Sequence, residues 1–349
     1  MRRFWKFVLP MPTLFLAGCG SLQSTSNTHG PAARSIAHLS HALSITFLIA
    51  TAVMWVLLTL ALKKRRGNLK EHMPIDVGGG QAWIAIGGLL IPLLVLSVFF
   101  FLGLELLSDF PIHGMHGMHG QAQAASGVSS NKPDILIIGH QWWWEVHYFY
   151  GDLDQQFTTA NEIHIPAHRP VNIELQSVDV MHSFWVPSLH GKVDLVPVHP
   201  NFIRLEASES GEFFGQCAEF CGEQHAHMRI LVVAQEPAAF EAWRASQSQP
   251  GVQPSNAETI AGQQAFLAGP CANCHAVRGT QAGGHVAPDL THIGSRKYIG
   301  ANSFKNNDAY LEAWITHAQS LKPGCKMPNI TQYSGVELRE VAAYLRQLK

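Results

Sequence analysis

The sequence predicts a membrane-anchored chain of several domains: a two-helix transmembrane hairpin, then a Greek-key β-sandwich, then an all-α domain. Three observations carry that reading. Two long apolar runs, Ile36 to Leu62 and Ala82 to Leu107, stand on either side of the basic cluster Lys63-Lys64-Arg65-Arg66. From Lys132 to about Ala245 the pattern changes to short β-branched runs punctuated by Pro and Gly. Beyond a stretch rich in Gln, Ser and Pro, helical spacing of apolar residues takes over. At 349 residues there is room for two or three domains, and a net charge of −1 without a basic stripe argues against a nucleic-acid partner.

The chain starts with Arg2, Arg3 and Lys6, followed by a short apolar run that ends at Gly18. Residues 1–18 therefore read as an export signal, too short for a stable span. Leu16-Ala17-Gly18-Cys19 resembles a bacterial lipoprotein box, which makes Cys19 the lipidated first residue of the mature chain; an ordinary signal cleaved nearby is the alternative. Spans 36–62 and 82–107 both exceed the ~20 residues that cross a bilayer. Because the dense basic cluster lies between them, the short loop faces the cytoplasm and both ends face outward. Pro92 falls inside the second span and Glu105 near its far end. In the Gly-rich stretch that follows, His113, His116 and His119 alternate with Met115 and Met118. That mixture could hold Cu(I) loosely, or serve simply as a solvated linker.

Strands are expected at Asp134 to Gly139, Val171 to Leu175, Ile203 to Glu206 and Ile230 to Ala234. Between the last two lies Gln216 to Met228, which gathers Cys217, Cys221, His225 and Met228. Thiolate, imidazole and thioether together are the donor set copper selects, whereas zinc takes the first two and is poorly served by the third. A disulfide between the two cysteines is the plainer reading, but it places no demand on residues 225 and 228. His182, at the end of a strand-like run, supplies a further ligand from upstream. The run Gly139-His140-Gln141-Trp142-Trp143-Trp144-Glu145 is dominated by side chains that usually anchor a core or a membrane interface.

Residues 246–258 read as a linker and 259–349 as the all-α domain. The latter opens with a helix-like stretch and then Cys271-Ala-Asn-Cys274-His275, the attachment sequence for c-type haem: two thiols bond the porphyrin and the adjacent imidazole lies under the iron. A redox disulfide or half a zinc site is the other reading of this spacing. A closing helix from about Ser334 to Leu348 carries Val336, Val341, Tyr344 and Leu345 at helical spacing for packing on this domain. Cys325 reads as an inert buried thiol, with competition for the iron as the alternative.

The pattern C-x-x-x-C-x-x-x-H-x-x-M with an upstream histidine, set after a membrane hairpin, resembles subunit II of a haem-copper cytochrome c oxidase, here with a c-type cytochrome domain fused behind it. That resemblance implies a cupredoxin-like sandwich over 132–245 holding the binuclear copper centre CuA. Cys217 and Cys221 would bridge the coppers, His182 and His225 would be terminal ligands, Met228 a weak axial ligand, and Glu219 a ligand through its carbonyl. The Glu219 side chain would reach a magnesium ion at the contact with subunit I, and Lys192, Asp194 and Pro197 match a contact loop there, with His199 replacing a basic residue. Trp142 takes the family's electron-entry position. In the cytochrome part, Met327 would join His275 on the iron, raising the potential, and the Pro288 carbonyl would accept from the proximal imidazole.

The function so implied is electron delivery. A cytochrome c or another donor would feed haem c, then copper, then subunit I, where oxygen is reduced to water and protons are translocated; subunit III is a further expected partner. The chain would sit in the bacterial inner (cell) membrane with its metal domains on the periplasmic or extracellular side. One departure from the family concerns proton entry. The acidic residue common ahead of the second span is missing from Val77-Gly78-Gly79-Gly80-Gln81, with Asp76 and Glu71 the nearest substitutes. Two other functions fit the same residues: electron entry to a nitric-oxide-reducing relative, and a copper-binding lipoprotein without turnover. A quinol oxidase fits less well, because such relatives have lost the copper ligands present here.

Overall fold

The computed structural model describes residues 23–65, 80–109 and 133–349. The expected export signal, Cys19, Glu71, Asp76 and the His113 to His119 repeat lie outside the described residues. The chain divides into two compact units, one of them spanning Arg34–Pro111.

That unit holds two helices of membrane-spanning length. The first, Pro31–Arg65, runs for 35 residues, roughly 50 Å at the α-helical rise. Its membrane-length part and that of the second helix have mean hydropathies of 2.4 and 2.7. Large apolar side chains such as Phe47, Trp83 and Phe101 are exposed along both, which suits lipid or a partner's helices and not water. The second helix is a composite of Gly80–Trp83, a π-helical stretch Ile84–Leu90, and Ile91–Asp109. Pro92 explains the composite. Proline has no N–H to give the carbonyl four residues back, and just before it the Ile91 N–H reaches Ile86 O, one residue beyond the α-helical partner.

The other unit carries the β-sandwich and the helical domain. Ten strands form two five-stranded sheets. One has the order β3-β2-β1-β5-β8, from Phe157–Ala160, Trp143–Tyr148, Ile135–His140, Val171–Ser177 and Asn201–Leu205. The other has the order β4-β10-β9-β6-β7, from Glu162–Pro166, Arg229–Gln235, Gly211–Cys217, His182–Trp185 and Val193–Leu195. Alternation in β1 and β5 points Ile135, Ile137, Ile173 and Leu175 inward, where they meet Phe184, Ile230 and Val232 of the facing sheet. Asn161 makes the corner between β3 and β4. Its φ of 64° lies in the left-handed region that Asn tolerates, and its side chain accepts from the Trp144 N–H at 2.9 Å. The helix Pro237–Gln247 follows β10, and its Trp243 stacks on His164 of the sheet-edge strand β4 at 4.0 Å.

In the helical domain, Ala257–Ala268 crosses Gly335–Gln347, and both start with reciprocal caps, Asn256 with Thr259 and Ser334 with Glu337. Phe266, Val341, Tyr344 and Leu345 form the core between them. Val336, expected in that core, is instead 56% exposed, because the first turn of the closing helix lies outside the crossing. Gly262 sets the crossing distance: a Cβ there would overlap the Glu340 carbonyl.

The expected linker is held down. Its first residues, to Gln247, complete a helix; Arg278 donates to the Gln247 and Ser248 carbonyls, and the Gly251 N–H donates to Arg278 O at 2.9 Å. A polar seam then joins the helical domain to the sandwich. Arg296 donates to Thr159 Oγ1 at 3.1 Å, the Lys297 N–H to Glu162 at 3.0 Å, and Asn302 to the Asn161 carbonyl at 2.6 Å. Lys322 donates to the His227 carbonyl at 3.0 Å, Gln224 to the Pro323 carbonyl at 2.5 Å, and Lys326 faces Asp179 at 3.8 Å.

Candidate metal centres

The first centre is the loop between β9 and β10. Cys217 ends β9, Met228 immediately precedes β10, and the Cys217 N–H donates to Met228 O at 2.9 Å, so sheet pairing closes both ends of the loop. His182 starts β6, whose Phe184 is registered against Cys217. The fold thus brings the upstream histidine to the cysteines. Cys217 Sγ lies 3.7 Å from Cys221 Sγ, 3.8 Å from His182 Nδ1 and 3.2 Å from the Glu219 carbonyl. Cys221 Sγ lies 3.6 Å from His225 Nδ1 and 3.8 Å from Met228 Sδ. A sulfur separation of 3.7 Å is not a disulfide bond. All six groups named from the sequence converge here, and His182, Cys217, Cys221 and Met228 are buried.

The electrostatics suit a cation. The hydrogen bond from Cys221 draws the Cys217 thiol well below its usual range against the cost of burial, with His182 helping, while the Cys221 thiol is driven up by its neighbour. Two thiols in contact therefore share a proton that a metal ion would displace. Burial opposes a charged His182, yet its bonds to Cys217 and Asp179 raise it.

Sequence reasoning missed Asp179. Its Oδ1 accepts from His182 Nε2 at 2.8 Å and its Oδ2 from the Gln141 N–H at 2.7 Å, which orients the ring so that Nδ1 faces the sulfur. Its place three residues before the histidine is the signal that could have found it. Glu219 keeps a partly exposed side chain, with Lys192 3.6 Å from both it and Asp194. His199 Nδ1 lies 3.3 Å from the Pro197 carbonyl.

Trp142 is partly buried, and its indole N–H donates to the Cys221 carbonyl at 2.9 Å, beside Gln141 Nε2 at 2.8 Å on the same oxygen. Gly222 makes room for the ring: its φ is +115°, and a Cβ would stand 2.9 Å from Trp142 Cζ2. Gly222→Ala is therefore expected to push the indole off the Cys221 carbonyl and to destabilise the domain by about 1–3 kcal/mol. Chemical denaturation together with the Trp142 indole resonance checks both effects.

The second centre is a cavity lined by Cys271, Cys274, His275 and Met327. His275 Nδ1 donates to the Pro288 carbonyl at 2.7 Å, which leaves Nε2 free to bind a metal, and burial holds the imidazole below its usual range, hence neutral. Cys271 Sγ lies 3.3 Å from the Tyr333 hydroxyl. Cys325 also lines the cavity, its thiol 3.3 Å from Gln319 Nε2 and raised by burial. One wall comes from the other domain: Gln141, Trp142, Trp143 and Asn161 of the sandwich. Two thiols, a neutral imidazole and a thioether around one cavity are the fittings for covalent haem.

Comparison with known proteins finds a family match in each of the two domains that hold these centres. Residues 150–235 match the family of the cytochrome c oxidase subunit II periplasmic domain, and residues 260–349 match the cytochrome c family. Cytochrome c oxidase subunit 2 of Alkalihalophilus pseudofirmus is 35% identical over 359 residues, covering 99% of this chain and 99% of its own length. The Bacillus subtilis protein of the same name is 28% identical over 368 residues, covering 100% and 99%. Among solved structures, the periplasmic domain of subunit II of cytochrome oxidase from Bradyrhizobium japonicum aligns at 28% identity with 33% of this chain and 94% of its own, with a TM-score of 0.31. A full-length relative at that identity, over a chain that carries both motifs intact, places this protein in the cytochrome c oxidase subunit 2 family.

Proposed function

We propose that the chain is the electron-entry subunit of a respiratory oxidase in a bacterial cell membrane, carrying electrons from cytochrome c or a similar donor to subunit I, where oxygen is reduced to water with proton translocation. The observation that carries this reading is the gathering of two imidazoles, a thioether and a carbonyl around two buried thiols. The family match implies CuA copper there and a haem in the second cavity, and such groups supply reversible one-electron carriers. The chain's own residues do the rest. Cys217, Cys221, His182, His225, Met228 and the Glu219 carbonyl would hold copper, with Asp179 fixing the His182 ring. Cys271 and Cys274 would bond the porphyrin, His275 and Met327 would take the iron, and Pro288 would fix the imidazole.

Trp142 would couple the two centres, since it lines the haem cavity and donates to the carbonyl of a copper-loop cysteine. Trp142→Phe removes that hydrogen bond and should slow haem-to-copper transfer about tenfold, equivalent to ~1.4 kcal/mol of barrier. An unchanged rate in flash kinetics would remove the relay role. Subunit III, a magnesium ion at Glu219, and a periplasmic or extracellular placement of both metal domains complete the proposed assembly.

Purification with the partner subunits, followed by metal analysis, optical and paramagnetic spectra and oxygen uptake with reduced cytochrome c, tests the whole proposal. Covalent haem, a mixed-valence copper signal and cyanide-sensitive uptake are expected. Zinc alone in the sandwich, or the absence of a large polytopic partner, would overturn it.

A further inference from the structure

Two sulfurs of the helical domain compete for one place. Cys325 and Met327 stand two residues apart, and both line the cavity that holds His275. A slip of this loop by two residues would exchange one sulfur for the other. The exchange matters, because a thiolate pushes electron density onto iron whereas a thioether raises the potential. What fixes the loop is the helix Asp308–Leu321, which breaks at His317, where φ of −131° and ψ of 34° are not helical. In an unbroken helix the Gln319 N–H would donate to the Ile315 carbonyl. Instead the Asn329 side chain accepts that N–H at 2.9 Å, and the Ile315 carbonyl accepts from the Ile330 N–H at 2.9 Å. The break thus splices the loop into the helix. Inside the splice, Gln319 Oε1 accepts from the Gly324 N–H at 3.2 Å, and Gln319 Nε2 donates to the carbonyls of Cys325, at 2.5 Å, and Met327, at 2.7 Å. The same nitrogen lies 3.3 Å from the Cys325 thiol, which is 3.7 Å from the Ala318 carbonyl.

We propose that Gln319 selects Met327 over Cys325 as the haem iron's second axial ligand, by clamping the main chain on both sides of Lys326 and by holding the Cys325 thiol against the helix. The assignment rests on the haem attachment and the His275 and Met327 ligation proposed above. Both amide hydrogens of Gln319 are taken by carbonyls that flank the choice, so the loop cannot slide without giving up two hydrogen bonds at once. The amide oxygen fixes the turn at Gly324, whose φ of 77° suits glycine. Gln319 acts on the iron only through this loop and is a positioning residue.

The test uses the full chain, purified in detergent with its covalent haem and without the haem-bearing partner subunits, in the ferric state and before copper is added. Near-infrared magnetic circular dichroism and electron paramagnetic resonance then report the sulfur on the iron. The unmodified chain should show the thioether-to-iron charge-transfer band. Gln319→Leu should lose most of that band, gain the narrow spread of g values that marks a thiolate, and fall in midpoint potential. Adding Cys325→Ser to Gln319→Leu should remove the thiolate signal and restore the thioether band, while Cys325→Ser alone should leave the unmodified spectrum. A full thioether band and an unchanged potential in Gln319→Leu overturn the assignment. So does loss of the band to a ligand other than thiolate, which would make Gln319 a fold residue only. If Gln319→Leu takes up no haem, Gln319→Asn decides: one methylene shorter, it cannot reach both carbonyls, so a mixture of the two signals supports the selection and an undiminished thioether band overturns it. A chain without covalent haem refutes the functional proposal itself, and haem staining of the denatured polypeptide separates that failure from this one.

Discussion

Cys217→Ser is expected to abolish the mixed-valence copper signal and to cut oxygen uptake driven by reduced cytochrome c roughly a thousandfold, about 4 kcal/mol in barrier terms, while covalent haem is retained. The size of the effect follows from position. Cys217 Sγ is the atom around which the others are arranged, within 3.8 Å of Cys221 Sγ, His182 Nδ1 and the Glu219 carbonyl. A hydroxyl of ordinary acidity cannot replace, as an anionic ligand, a thiol that its bonds to Cys221 and His182 draw well below the usual range. Met228→Leu should be milder, because a thioether is a weak donor, at 3.8 Å from Cys221 Sγ, and its loss leaves both thiols and both imidazoles in place. Copper stays bound and its potential shifts. Electron paramagnetic resonance and metal content separate the two variants, and a normal copper signal in Cys217→Ser would end the assignment.

Gly262→Val is expected to unfold the helical domain and abolish covalent haem while leaving the copper signal in place. The helices Ala257–Ala268 and Gly335–Gln347 meet backbone to backbone at this residue, where a Cβ would overlap the Glu340 carbonyl and stand 3.0 Å from Tyr344 Cβ. No rotamer relieves a clash with main chain, so the helices must separate. Separation empties the packing of Phe266, Tyr344 and Leu345, at a cost of about 3 kcal/mol or more. Haem staining and copper resonance on the same preparation read the two domains independently. Retained haem with a normal denaturation midpoint would show that the crossing tolerates a larger residue.

Much of this was legible in the sequence because it depends on local order. The spacing of Cys217, Cys221, His225 and Met228 is fixed within one hairpin loop, and Cys271, Cys274 and His275 lie within one turn of helix and its cap. The strands at β1 and β5, and the closing helix from about Ser334, likewise follow from neighbouring residues. What escaped depends on residues distant in the chain. Asp179 stands only three residues before His182, but its second oxygen is held by the Gln141 amide, 38 residues upstream. Lys322, Gly300 and His227 are unexceptional one by one and become a group only when two domains close on each other. The stretch 246–258 read as loose from its composition, but the Arg278 guanidinium gathers its carbonyls.

The closed seam also bears on kinetics. A separate carrier must find its acceptor by diffusion, and such an encounter slows with added salt when charges steer it and slows further in a thickened solvent. Here the haem domain is fastened to the copper loop through Lys322 and Gln224, with no search to perform. Internal transfer should therefore ignore ionic strength and glycerol alike, and any sensitivity to either would belong to the step in which an outside donor arrives.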